Sequence, residues 1–152
     1  MEITKANKET VNILQELLQK NYDAEAGYKQ IMQKAENNLL KNWLQIKAKQ
    51  RSQFANELDS LIRDLNATPV ADGSLLGSAH RAWIDLKTTL SSNTDEAILE
   101  ECIRGEKASV DEYENQLEKV SNYSDINNVI YKQLVDIKTA LNTVKRLEDI
   151  AN

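Results

Sequence analysis

The chain is short of the residues that interrupt helices, cross-link segments or bind metals. Its 152 residues hold one proline, four glycines, one cysteine and one histidine. Breakers this scarce exclude a turn-rich β architecture and leave room for long helices. A single cysteine, Cys102, excludes an internal disulfide and a thiolate zinc cage. No stretch approaches the roughly 18 consecutive apolar residues of a membrane-spanning helix. Met1-Glu2-Ile3-Thr4-Lys5 offers no apolar signal-peptide core. The default expectation is a cytoplasmic protein that stays off the membrane. Aromatic residues make up 5%, and the formal net charge is −5 without a basic block. That balance disfavours a nucleic-acid face.

What is present is helical periodicity. Apolar residues recur at spacings of three and four through four long segments, expected at about 4–35, 37–65, 93–120 and 124–151. The first stripe runs through Leu14, Leu18, Tyr22, Tyr28 and Met32. The second runs through Leu44, Ala48, Phe54 and Leu58. The third uses Ile98, Cys102, Gly105, Ser109 and Tyr113, and the fourth Ile130, Leu134, Ile137 and Leu141. Glu36-Asn37-Asn38 joins the first two segments and is short enough to make them antiparallel neighbours. Asn66 to Ser74, with Pro69, Asp72 and Gly73, opens a long connection over 66–92, in which a short helix is expected at about 75–90. The pattern predicts an all-α chain: one four-helix-bundle domain over 1–152, with an up-down-down-up course and a long crossover between the second and third helices.

Each long segment carries a polar residue near its midpoint, within its apolar stripe: Glu25, Arg51, Glu106 and Gln133. Antiparallel packing brings such midpoints to one level. A buried guanidinium needs acceptors, and Glu25 and Glu106 are the expected carboxylates, with Tyr28 and Tyr113 satisfying the remaining oxygens. The predicted feature is an interior polar layer built on Arg51. The other reading stands beside it: a long Glu or Arg at the ragged edge of a stripe turns to water.

Four long helices, a long crossover and mid-helix carboxylates resemble the ferritin-like superfamily, whose di-iron members place a Glu on helices A and C and Glu-x-x-His on B and D. Glu25 in Asp23-Ala24-Glu25-Ala26 and Glu106 in Arg104-Gly105-Glu106-Lys107 match the A and C carboxylates. Arg51-Ser52-Gln53-Phe54 stands where Glu-x-x-His is required, and the last helix offers Gln133 and Asp136 without histidine. The chain is more closely similar to a branch of small bacterial four-helix bundles described as a domain of unknown function. Three stretches carry that likeness: Gln50 to Leu58, Gly73 to Lys87, and Glu101 to Glu106. The resemblance implies a fold and a bacterial source, and no activity. It implies that Arg51 supplies the positive charge that two iron ions supply elsewhere, so that no cofactor is expected.

His80, Arg81 and Trp83 form the densest mixed-chemistry cluster and stand in the crossover. They suggest either an anion or small-ligand site or the packing of an amphipathic segment, and packing is the favoured reading. No nucleophile–base pair is evident, and Cys102 on an interior stripe reads as a small hydrophobe. The sequence favours a non-enzymatic structural or interaction module, expected as a homodimer or with a protein partner, to which Leu39 or Ile46 contribute. The alternative is a metal-binding or oxidase-like relative holding a divalent metal through Glu25, Glu57 and Glu106; oxygen ligands alone suit magnesium, manganese or calcium.

Overall fold

The structure, a computed structural model, describes residues 5–71, 95–120 and 123–150. They form α1 (Lys5–Met32), α2 (Asn38–Asp64), α3 (Asp95–Lys119), α4 (Ser124–Thr143) and a single turn, α5 (Leu147–Ile150). No strand occurs among the described residues. None of these helices is long and apolar enough to cross a membrane. The expected short helix at 75–90 lies outside the described residues.

The helices form hairpins α1–α2 and α3–α4, with α1 also against α3 and α2 against α4. Bonds from Tyr28, Asn21 and Glu16 of α1 reach Glu106, Tyr113 and Gln116 of α3. Rising numbers meet falling ones, so α1 and α3 are antiparallel. Leu40 and Leu44 pack with Tyr28 and Ile31, whereas Leu58 and Ile62 pack with Leu14 and Leu18, so α1 and α2 are antiparallel too. Consequently α2 and α3 run the same way, and the course is up, down, down, up.

Local chemistry sets the joints. The side chain of Asn37 accepts from the backbone N–H groups of Leu39 (2.8 Å) and Leu40 (3.1 Å), capping α2. The Asp95 carboxylate accepts from Glu36 N and Asn37 N, both at 2.9 Å, and so ties the α1–α2 turn to the start of α3. At the other pole, α2 ends in a Schellman arrangement: Ala67 N donates to Ile62 O and Asn66 N to Arg63 O. Asn66 takes the left-handed conformation there, at φ 62°. Gln15 of α1 then donates to Thr68 O (2.8 Å) and accepts from Val70 N (2.9 Å), holding the chain after α2 against α1.

Two expected boundaries move. α1 stops at Met32 because Gln33, Lys34 and Ala35 bond three residues back and tighten the chain into the turn. The last helix is not continuous to 151. Val144 is extended (φ −117°, ψ 108°), and Asp149 accepts from Lys145 N (2.9 Å) and Arg146 N (3.0 Å). This carboxylate reaches back to the residues preceding its own turn, as in half a capping box, and starts α5 afresh.

The apolar core has two parts. Leu14, Leu17, Leu18, Phe54, Leu58, Ile62, Val120, Ile126 and Ile130 fill one pole. Tyr28, Ile31, Leu40, Leu44, Ile98, Leu99 and Cys102 fill the other. Each buried aliphatic side chain contributes about 1.5–3 kcal/mol. Between the two clusters lies a layer of polar side chains.

An L-residue held at positive φ costs about 1 kcal/mol, an amount that asparagine and glycine largely escape. Asn66→Ala is therefore expected to lower the unfolding free energy by about 1 kcal/mol in urea titration, while Asn66→Gly leaves it unchanged. Equal stability of the two variants would rule out the left-handed cap.

Candidate functional site

The layer is centred on Arg51, which has no exposed surface at all (0%). One terminal nitrogen, Nη1, donates to Asn21 Oδ1 at 3.0 Å. The other, Nη2, donates to Glu106 Oε2 and to Ser109 Oγ, both at 3.0 Å. The second oxygen of Glu106 accepts from the Tyr28 hydroxyl. Asn21 Nδ2 donates to the Tyr113 hydroxyl and to Leu17 O, both at 2.8 Å. Tyr113 in turn donates to Gln133 Oε1 at 2.5 Å. Gln133 Nε2 donates to Glu57 Oε1 (2.9 Å) and to Phe54 O (3.3 Å). One chain of hydrogen bonds therefore runs Tyr28–Glu106–Arg51–Asn21–Tyr113–Gln133–Glu57 and joins all four long helices.

Heptad geometry explains which residues enter the layer. Leu14, Leu17, Asn21, Ala24, Tyr28, Ile31 and Ala35 alternate by three and four, and all are buried. Asn21 is the polar member of that seam. Leu99, Cys102, Glu106, Ser109, Tyr113, Gln116 and Val120 make the same pattern on α3, again all buried. A side chain in such a position faces the neighbouring helices for as long as the seam persists.

The structure brings together Arg51, Glu106, Gln133, Tyr28 and Tyr113. It does not bring in Glu25. That carboxylate stands at the edge of α1 with 19% of its side chain exposed, bonded at 2.7 Å to Lys29 one turn on. The ladder through Leu18, Tyr22, Glu25 and Met32 follows the rim of the seam, where Tyr22 and Met32 are also only half-buried. Asn21 occupies the place expected of Glu25. The fully buried part of the layer consequently holds one guanidinium and one carboxylate, a neutral ion pair, with the half-buried Glu57 at the end of the chain. Periodicity alone does not point to Asn21, to Ser109 as an acceptor for Arg51, or to Glu57 as the end of the chain. For Asn21 the signal lies in the stricter heptad, because Leu14, Asn21, Tyr28 and Ala35 are spaced by seven.

The electrostatics follow from burial. Desolvation presses the Arg51 guanidinium toward neutrality, but Glu106 and then the two tyrosines outweigh it and hold the group above its ordinary value. Burial, reinforced by the charge of Glu106, raises the Tyr28 phenol well above its usual range. Burial pushes the Tyr113 phenol up to about 12, against the opposing effects of Arg51 and the Asn21 hydrogen bond. The Cys102 thiol is raised by burial and by Glu106, so it does not act as a thiolate nucleophile.

Lys47, one turn before Arg51, is 5% exposed. Its ammonium lies 5.5 Å from the centre of the Trp43 ring and 3.5 Å from Gln50 Oε1. Burial lowers its pKa, and Glu106 partly opposes this. Trp43 also meets Tyr28 edge to face, with centroids 6.2 Å apart. The aromatic and cationic side chains thus extend the layer toward the second apolar cluster.

A di-metal centre does not fit this donor set. Both oxygens of Glu106 are engaged, Glu57 is bonded to Gln133, and Glu25 turns to Lys29. The three carboxylates of the metal-binding alternative are not gathered at one point. Among the described residues no three His, Cys, Asp or Glu come together in a group that could hold a metal. His80, Arg81 and Trp83 lie outside the described residues.

Fold and layer together define an all-helical bundle with a hydrogen-bonded polar centre. The family model described as "Domain of unknown function (DUF2383)" matches residues 9–119, from α1 to the end of α3. The chain belongs to that family. No curated protein and no solved structure matches it.

Two expectations follow from the layer. Arg51→Met leaves Glu106 buried without its cation and is expected to cost about 3–5 kcal/mol at neutral pH. Arg51→Met with Glu106→Gln, which removes both charges, should recover most of the loss. A loss under about 1 kcal/mol in denaturant titration would dispose of the ion pair as a stabilising element.

The raised phenols act at the alkaline end. Each contributes stability that is fully present below the unfolded value of about 10 and is lost as pH rises through the folded one. Ultraviolet titration of the folded protein should show one phenol ionising near pH 12, absent in Tyr113→Phe. Ionisation of every tyrosine by about pH 10.5 in the folded state would contradict the buried hydroxyl network.

Proposed function

We propose that the protein is a cytoplasmic, ferritin-like bundle whose interior serves structure rather than catalysis. In this reading the Arg51–Glu106 pair holds the centre in place of a di-iron site. The protein works as a non-enzymatic module through its surface, as a homodimer or with a protein partner. The single observation that carries the reading is the Arg51 guanidinium, fully buried and hydrogen-bonded to Asn21, Glu106 and Ser109. A resident cation at that position repels a divalent metal and uses the carboxylate a metal needs. Arg51 and the two tyrosines are held protonated, and the amides of Asn21 and Gln133 do not titrate.

The test is elemental analysis of protein produced with added iron and manganese and purified without chelator. The expected result is no stoichiometric iron, manganese or zinc. About one or more metals per chain, lost in Glu106→Gln, would reverse the reading in favour of a metal-binding or oxidase-like protein.

A further inference from the structure

The corner between α4 and α5 is fixed by two kinds of anchor. Val144, where α4 stops, is extended and 8% exposed, and it belongs to the second apolar cluster. Leu147 and Ile150 of α5 pack against the same cluster. The Asp149 carboxylate then holds the backbone N–H groups of Lys145 (2.9 Å) and Arg146 (3.0 Å). Two consecutive cations thus stand on a corner whose backbone is pinned. The start of α3 is pinned as well, because Asp95 ties it to the α1–α2 turn.

Between the corner and α3 lies a cavity of about 570 Å³, a size that suits a small ligand. Lys145, Arg146 and Leu147 line it from the corner, and Glu96, Leu99 and Glu100 from α3. Glu96 and Glu100 are four apart and share one face of the helix. Leu99 is 2% exposed and Leu147 half-buried, so both walls add fixed apolar surface.

The charges of the two walls are opposite and do not pair across the cavity. Arg146 bonds Glu148, at 3.0 Å, within the corner itself. Among the described residues neither Glu96 nor Glu100 reaches a cation, and the Lys145 ammonium reaches no carboxylate. Opposite charges kept apart in one cavity are matched by a molecule that carries both. Its positive part is an organic cation, because no three carboxylates among the described residues come close enough to hold a metal ion. An alkyl ammonium, with three donors, can serve two separate carboxylates.

From this arrangement we propose that the cavity between the α4–α5 corner and the first two turns of α3 binds a free basic amino acid. The side-chain cation pairs with Glu96 and Glu100, and the carboxylate with Lys145 and Arg146. The alkyl stem lies against Leu99 and Leu147, and the α-ammonium falls to Glu148, which also lines the cavity. Charge favours a basic amino acid over a neutral one. The lining holds more carboxylates than cations, and a ligand with a surplus positive charge is its complement. The cavity lies apart from the Arg51 layer, so the inference holds whether or not the interior is purely structural.

Titration with L-lysine at low ionic strength, followed by amide chemical shifts, is the test. Saturable binding is expected with a Kd of roughly 1 mM, as suits exposed charged groups. Glu96→Gln with Glu100→Gln is expected to weaken binding about tenfold or more, and so is Lys145→Gln. These side chains are exposed, and helical circular dichroism and melting should not change. Two analogues test the unaltered protein. Cadaverine lacks the carboxylate and norleucine lacks the side-chain ammonium, and each is expected to bind at least about tenfold more weakly than lysine. Lack of saturation by about 20 mM lysine, well above that Kd, overturns the proposal. Cadaverine binding as tightly as lysine also overturns it, since a cation would then be held by acidic surface alone. Undiminished affinity in the folded Glu96→Gln, Glu100→Gln variant does the same.

Discussion

The structure depends on one buried ion pair, Arg51 with Glu106. Placing a guanidinium at zero exposure removes hydration worth several kcal/mol even after the surroundings relax. The attraction to one carboxylate offsets this only when the remaining donors and acceptors are satisfied. Asn21 and Ser109 take further guanidinium hydrogens, and Tyr28 takes the second oxygen of Glu106. The pair is therefore inseparable from its supports, which come from α1 and α3 as well as α2. Once Arg51 is fixed in the interior, the other long helices must present particular side chains at its level.

That requirement gives the bundle a register. Four amphipathic helices with apolar seams can slide past one another by a turn at modest cost, because one aliphatic contact replaces another. A polar layer removes the freedom. A slip of one turn, about 5.4 Å, would take Glu106 out of reach of Arg51 and bury both without partners. A single interior asparagine serves the same purpose in coiled coils, and here Asn21 stands in such a position. The layer is also where the two apolar clusters part, so each pole packs on its own and the layer joins them. The direct bonding of Gln133 to Tyr113 and Glu57 carries the constraint to α4, the last long helix to join.

How much of this was legible in the sequence depends on what kind of signal each feature leaves. The helices are legible because three-and-four periodicity is a global pattern that one misread residue does not disturb. Arg51 is legible because a charge within an apolar stripe contradicts its surroundings. Glu106, Gln133, Tyr28 and Tyr113 are legible for related reasons. The choice between Asn21 and Glu25 is harder. Both lie within about 40° of each other on the helix, since four residues turn 400°, and a carboxylate is the stronger partner for an arginine. What decides is the heptad seam, which runs through Asn21 and leaves Glu25 at its rim, where Lys29 is nearer. The break at Val144 left no proline or glycine to mark it. It arises from the side chain of Asp149 bonding backbone four and three residues upstream, and a propensity argument does not register that competition.

The neutrality of the central ion pair bears on what the interior can hold. Had Glu25 joined Glu106, the interior would have carried an excess negative charge, a standing invitation to a cation. With Asn21 in that place the charges of Arg51 and Glu106 cancel, and the amide gives Arg51 an acceptor and Tyr113 a donor at once. Arg51 and the two tyrosines are held in the protonated state they already have at neutral pH. Both oxygens of Glu106 are engaged, one by Arg51 and one by Tyr28, so that a cation entering the layer would have to displace a hydrogen bond as well as meet the charge of the guanidinium.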